Sequence, residues 1–339
     1  MGADMSQANA ASASAPRPVV TFVDPLTWSR EFSYEVEHSI LTSAGVDLRI
    51  PADEAERDRL LPIADVVISS GTLRVDARSI ESMRTCVGIQ CYSVGMDAVD
   101  HVAAAARGIE IANVNASTAD VADHTMALVL AAQRRIPAML AATDARQWTL
   151  RDLTEPWEIR RLAGQVFGVV GAGRIGRQVV ARAQAFGFET IAVDPFPPEP
   201  PIDGLAIVPV DELLRRSDVI VVCASLNDES RGFFDAGFFA RTKPGVLFVN
   251  TARGGLVDEE ALADALDSGQ VGLAALDVRA QEPPLAAGDR LTGHPRVLQT
   301  PHMAAMSTQS RIDIHPLVAE SVLGLLRRAG RLPAEESVS

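Results

Sequence analysis

QVFGVVGAGRIGRQVVARAQAFGFETIAVD, residues 165–194, is the stretch that decides the fold. An apolar run from Val166 to Val170 meets Gly171-Ala172-Gly173-Arg174-Ile175-Gly176. A helix-patterned segment follows, and a second apolar run stops at Asp194. Apolar periodicity that passes from strand to helix and back predicts one β-α-β unit. Each glycine has a steric reason: Gly171 for a tight turn, Gly173 so that backbone can approach a pyrophosphate, Gly176 for close packing of helix on strand. A helix beginning at Arg174 aims unpaired N–H groups and its positive dipole end at the phosphates. Asp194 lies 18 residues beyond Gly176, where an acid can accept hydrogen bonds from the adenosine ribose. Its carboxylate would repel a 2′-phosphate, and Pro195-Phe196-Pro197 brings no cation, so NAD(H) is the expected cofactor.

Working outward, the same rhythm recurs. Upstream, VVTFVD (19–24), VDLRI (46–50), ADVVIS (64–69), CVGIQC (86–91) and IEIANV (109–114) alternate with helix-like segments such as Glu35 to Ala44. Downstream, a proline-rich loop (195–201) precedes strands expected at 218–224, 245–249, 272–278 and 296–300, with helices near 233–241 and 258–268. This alternation predicts an α/β protein with two doubly wound parallel-sheet domains. Ala119 to Leu140 reads as one long crossover helix, with Trp148 and Trp157 in the segment after it. The helix from Thr308 to Arg328 comes too late for the second sheet and is expected to return to the first domain. The expected boundaries are a disordered Ala/Ser-rich tail at 1–17, a discontinuous substrate-binding domain at 18–120 and 305–330, a Rossmann domain at 121–304, and a short tail at 331–339.

Composition narrows the class. A 47% hydrophobic and 22% charged chain is ordinary for a globular protein and excludes global disorder. The net charge of −13, with no dense basic run, argues against nucleic acid as a partner. No apolar run is long enough for a membrane helix. Cys86, Cys91 and Cys223 fall in apolar strand contexts and are expected as buried free thiols in a reducing cytoplasm.

Three polar elements follow expected strand ends of the second sheet: Arg253 in NTARGGLVDEEAL, Glu282 in ALDVRAQEPP and His302 in QTPHMAAMS. Ligands of open α/β sheets collect at the carboxyl ends of strands, so the three are candidates for a shared crevice. The remaining histidines (His38, His101, His124, His294 and His315) show no metal-ligand spacing and are expected to be structural, and no metal is expected.

On these motifs the chain resembles the D-isomer-specific, NAD-dependent 2-hydroxyacid dehydrogenase family over about residues 18–328, with Ser225-Leu226-Asn227 and Phe248 to Glu259 most similar to its C-terminal-binding-protein branch. The resemblance implies a flavodoxin-like substrate domain beside the Rossmann domain, a small 2-oxo or 2-hydroxy acid as substrate, a homodimer with its contact near Ala119 to Trp157, and a cytoplasmic enzyme. It further implies that His302 and Glu282 form the acid/base pair and that Arg253 binds the substrate carboxylate and carbonyl. Gly171, Gly173, Arg174, Ile175, Gly176, Asp194, Thr251, Ala252 and Asp277 would touch the cofactor. Asp277 is equally readable as a structural hydrogen-bonding residue at a strand end. The loop Tyr92, Ser93, Val94 and Gly95 would hold the substrate carboxylate. Corepressor-like relatives carry an Arg in that loop and a Trp after the histidine, where this chain has Cys91-Tyr92 and Ala305. An NAD(H)-sensing, corepressor-like interaction protein and a dehydrogenase of an unusual acid such as phosphite are the alternative readings.

Overall fold

A computed structural model describes residues 16–24, 33–71, 73–148, 159–284 and 288–334. The 1–15 part of the expected tail, the tail's counterpart at 335–339, and Trp157 lie outside the described residues. The chain divides into two compact units, one of residues up to Val114 with those from Asp313 onward, the other Asn115–Ile312. The breaks thus fall at 114/115 and 312/313, beside the expected 120/121 and 304/305.

Among the described residues, the first unit carries five strands: β1 (Val19–Phe22), β2 (Asp47–Arg49), β3 (Val66–Ser69), β4 (Gly88–Cys91) and β5 (Glu110–Ala112). They lie in the order β2-β1-β3-β4-β5, all parallel, which is the flavodoxin-like order. Side chains of a strand alternate between faces, and β3 shows what that does here. Val66 and Ile68 enter a cluster with Leu41 and with Val318, Val322 and Leu326 of the helix Thr308–Arg328. Val67 enters the opposite cluster with Ile80, Met83 and Ala104. Both faces are buried, so the strand reads as a continuous apolar run.

Several polar side chains are buried in this unit, among them Thr21, Glu37 and Gln90. Glu37 is fully buried and Tyr92 nearly so; the Tyr92 hydroxyl donates to Glu37 Oε1, and His315 Nδ1 lies 2.7 Å from the same oxygen and 2.8 Å from the hydroxyl. Burial, followed by the Glu37 charge, drives the Tyr92 phenol well above its ordinary range. The Tyr92 side chain is therefore part of the core of this unit, which leaves its backbone for the contact that the resemblance implies. The thiols are buried or half-buried and free, and burial pushes Cys86 up to about 11 and Cys91 and Cys223 up to about 12.

Among the described residues, the second unit carries seven strands: β6 (Val166–Val170), β7 (Glu189–Val193), β8 (Leu205–Ile207), β9 (Val219–Val222), β10 (Val246–Asn250), β11 (Val271–Leu276) and β12 (Val297–Gln299). Their order is β12-β11-β10-β9-β6-β7-β8, all parallel. The strand order turns back between β6 and β9, the switch point at which such sheets open a crevice. Ile220, Val222 and Phe248 face one cluster; Val219, Val221 and Val249 face the other, with the helices Thr118–Gln133 and Arg174–Ala185 on it.

Two expectations change. The single helix over Ala119–Leu140 is two, Thr118–Gln133 and Ile136–Asp144, because Arg135 takes a left-handed conformation (φ 54°) and Pro137 at a helix start cannot continue the preceding ladder. Strand β8 and the helix Val210–Arg216 were not anticipated between residues 201 and 218. A three-residue edge strand that buries no residue fully leaves little apolar pattern to read.

Replacing Tyr92 with Phe removes a donor from a fully buried carboxylate whose Oε2 already has no partner among the described residues. Leaving such a group under-bonded costs about 1–3 kcal/mol. A Tyr92→Phe variant should unfold at correspondingly lower urea concentration, and an unchanged midpoint would show that the hydroxyl contributes nothing to stability.

Candidate active site

The nucleotide loop forms at the switch point. Gly171 follows β6 with φ +95°, and a Cβ there would lie 2.8 Å from the backbone of Cys223 and Ala224, just past β9. Gly176 meets the carbonyl oxygen of Gly171, which a Cβ would approach to 2.1 Å. Among the described residues, nothing lies within 4 Å of the Cβ position of Gly173, the residue that caps the helix Arg174–Ala185. Open space over an exposed helix start fits the pyrophosphate of a dinucleotide. Asp194, after β7, accepts from Ala172 N (2.7 Å) and Phe196 N (2.8 Å) and so fixes the loop to the strand end. Arg174 is exposed and Ile175 half-buried in the first helical turn.

The other residues come from the ends of β10, β11 and β12. After β10, Asn250 is buried and pins the turn: its Nδ2 donates to Arg253 O (2.9 Å) and its Oδ1 accepts from Ala252 N (3.0 Å). Thr251 faces inward, 2.7 Å from Thr125 Oγ1. Thr125 already donates to Val121 O (2.7 Å), so the Thr251 hydroxyl is the donor of that pair. Its side chain thus serves the packing of the helix Thr118–Gln133, leaving its backbone for any cofactor contact. Gly254 then runs against the chain after β11, where a Cβ would fall 1.9 Å from Arg279 C. No other residue permits this approach, and it brings the Arg253 turn beside the segment that carries Glu282.

That segment is anchored by Arg279, which sequence reading overlooked. Only 7% exposed, it pairs with Glu259 (Nη2–Oε2 2.8 Å) and Asp289 (Nη2–Oδ1 2.8 Å) and reaches Thr292 and Gln299. Desolvation works against its charge, but the two carboxylates outweigh it and raise its pKa above the ordinary range. Its backbone N–H donates to Glu282 Oε1 (2.8 Å). An isolated arginine after a strand carries no signal of its own; the acids it meets lie 20 residues before and 10 residues after it.

Glu282 Oε2 and His302 Nδ1 are 2.6 Å apart. The hydrogen bond to Glu282 raises the His302 pKa above its ordinary 6.5, against partial desolvation and the nearby positive charge of Arg253. Desolvation would raise the Glu282 pKa, but the bonds from His302 and from Arg279 N prevail and lower it. The ion-pair form is therefore favoured, and with Nδ1 committed to the carboxylate, Nε2 is the ring nitrogen left for chemistry.

Asp277 is the hidden centre of this arrangement. It is 1% exposed and accepts from Thr300 Oγ1 (2.5 Å), Met303 N (2.9 Å) and Ala304 N (2.9 Å), while its backbone oxygen accepts from His302 N (2.7 Å). Of its two expected readings, the structural one describes these contacts. His124, expected to be structural, lies 3.1 Å from Thr300 Oγ1 and 3.5 Å from Asp277 Oδ1. Met303 and Met306 are exposed, and Ala304 is buried beside them. Among the described residues no cluster of three His, Cys, Asp or Glu side chains is arranged to hold a metal, and no helix is long and apolar enough to cross a membrane.

In the first unit, the backbone after β4 forms the loop Ser93-Val94-Gly95. Ser93 Oγ donates to Gly95 O (2.8 Å) and Asn113 Nδ2 donates to Val94 O (2.6 Å).

Comparison with known proteins identifies the family of the chain. Residues 126–304 match the family model for the D-isomer specific 2-hydroxyacid dehydrogenase, NAD binding domain. The chain is 39% identical over 278 residues to D-3-phosphoglycerate dehydrogenase of Mycobacterium tuberculosis, covering 80% of this chain and 51% of that protein. It is 33% identical over 299 residues to the enzyme of the same name from Archaeoglobus fulgidus, covering 86% and 56%. The chain thus spans about half the length of the curated relatives it matches. A glyoxylate reductase from Paecilomyes thermophila superposes with a TM-score of 0.82 at 27% identity, covering 95% of this chain and 99% of that one. The chain belongs to the D-isomer specific 2-hydroxyacid dehydrogenase family, and its second unit contains the family's NAD binding domain.

Proposed function

We propose that the protein is an NAD(H)-dependent D-2-hydroxyacid dehydrogenase that works as a reductase of a small 2-oxo acid. The observation that carries this reading is the 2.6 Å contact between His302 Nδ1 and Glu282 Oε2, at strand ends of the same sheet that bears the glycine loop. Gly171 to Gly176 and Asp194 would hold the dinucleotide, which when bound supplies the hydride to C2 of the oxo acid or takes it from the hydroxy acid. During reduction, His302 Nε2 gives its proton to the carbonyl oxygen as that oxygen gains charge, and the ring becomes neutral. Glu282 stabilises the imidazolium and holds its orientation. Arg253 offers a planar fork to the carboxylate and carbonyl of the substrate. For Ser93 to Gly95 the proposed role is to bind the carboxylate through backbone N–H groups. The relatives with a named activity reported above are dehydrogenases and a reductase, which supports the enzyme over the corepressor reading.

The acid/base assignment predicts that His302→Ala lowers kcat for NADH oxidation by a 2-oxo acid by about 10²–10⁴-fold while NADH still binds. Since the Glu282 contact raises the pKa of His302, reduction should proceed below that pKa and fall as pH rises through it, with the opposite slope for oxidation. Glu282→Gln should move the break to lower pH. Rates over a pH series settle the matter: full activity of His302→Ala, or an unmoved break in Glu282→Gln, would sink the assignment.

Asp194 is proposed to exclude a 2′-phosphate by charge. NADH should bind more tightly than NADPH, and Asp194→Asn, which keeps an acceptor for Ala172 N–H, should narrow the difference; tighter binding of NADPH to the wild type would contradict this.

We also propose a homodimer, with the contact on the segment from Ala119 onward. Ile136 and Leu140 are large apolar side chains exposed there (43% and 62%), as expected of a surface that a second copy covers. Sedimentation equilibrium should give twice the 36.1 kDa chain mass, whereas a mass of one chain at all concentrations would refute the dimer.

A further inference from the structure

Two side chains bond to the backbone of the loop after β4. Asn113, just past the end of β5, donates from Nδ2 to Val94 O at 2.6 Å, and Ser93 donates from Oγ to Gly95 O at 2.8 Å. The only cis peptides among the described residues are Glu199–Pro200 and Glu282–Pro283, so the Val94–Gly95 and Gly95–Met96 peptides are trans. In a planar trans peptide the C=O and the following N–H point in opposite directions. Gripping Val94 O therefore fixes where the N–H of Gly95 points, and gripping Gly95 O does the same for Met96. These residues are only half-exposed, yet the N–H groups of Val94, Gly95 and Met96 donate to no protein acceptor among the described residues. Three successive backbone donors without a protein acceptor are thus open to an acceptor from outside the chain, in the manner of an anion-binding concavity.

We infer that Asn113 is a positioning residue: by holding Val94 O it presets the Gly95 N–H for one carboxylate of the substrate. The inference rests on the reductase reading above and adds to it a residue with no contact of its own to the ligand. Asn is suited to the task because its amide can donate without adding charge beside an anion. A carboxylate in its place could not donate and would repel the ligand. An apolar residue would release the peptide plane, which then would have to be ordered anew at each binding event, a cost paid in affinity rather than in the chemical step.

The test uses the full chain and two substitutions, Asn113→Ala and Asn113→Asp. KM for the 2-oxo acid should rise about tenfold in Asn113→Ala and further in Asn113→Asp. Meanwhile kcat should stay within about twofold, and KM for NADH should not move, since only binding of the carboxylate end is affected. Oxalate, titrated calorimetrically into the NADH-loaded protein, should lose affinity in the same order. A joint fall in kcat, NADH affinity and thermal midpoint would identify Asn113 as merely structural and overturn the inference, as would an unchanged KM. Should the wild type reduce no 2-oxo acid, the reductase reading fails separately. Oxalate then decides alone: weaker binding in Asn113→Ala upholds the positioning role, and equal or absent binding in both proteins ends it.

Discussion

A buried carboxylate sets the position of the proposed acid/base residue. Asp277 closes β11, and its side chain takes donors from Thr300, Met303 and Ala304, on both sides of His302, while its backbone takes the N–H of His302 itself. His302 has a left-handed backbone (φ 54°), which a non-glycine residue adopts at a cost of order 1–3 kcal/mol. Such a conformation persists only where its neighbours over-determine it, and four bonds from one residue do so. The ring is thereby held at the place where Glu282 can reach its Nδ1. A looser loop would spread that contact over many geometries, and orientation is a large part of what such a site contributes to rate.

The partner carboxylate is held by a different device. Arg279 is nearly buried among Glu259, Asp289, Thr292 and Gln299, so its charge and most of its donors are matched. Clusters of this kind add little net stability, because removing the charges from water offsets their attraction. What they do supply is a fixed geometry: the Arg279 N–H that points at Glu282 Oε1 belongs to a backbone that cannot wander. Gly254 completes the arrangement by letting the Arg253 turn rest on the same backbone, where a Cβ would overlap Arg279 C. Three loops from three strands are thus referred to one another by a buried acid, a buried base and an absent side chain.

The glycine loop was legible because its demands are local. A positive φ at Gly171 and the Gly176–Gly171 approach concern residues five apart, so their spacing is written in the sequence. The same holds for the central strands β3, β6, β9 and β10, whose runs are apolar because both faces are covered. Strand β8 and the break at Arg135 were not legible, the first for want of buried side chains and the second because one proline near the end of an apolar helix pattern competes with that pattern. Tyr92 shows how a long-range partner stays hidden: its side chain is held by Glu37 and His315, which are 55 and 223 residues away in sequence.

By itself, then, the sequence determined two parallel α/β sheets, a dinucleotide loop ending in an acid, and the residue types of the proposed acid/base pair and its arginine. These follow from periodicity, backbone sterics and charge, all of which act over a few residues. Only the tertiary structure decided that Asp277 is a scaffold for His302, that Arg279 fixes Glu282, that Thr251 turns its hydroxyl to Thr125 and that Asn113 grips Val94. Such assignments depend on which atoms meet across strands far apart in the chain, and a hydrogen bond over that distance leaves no period or spacing in the sequence to be read.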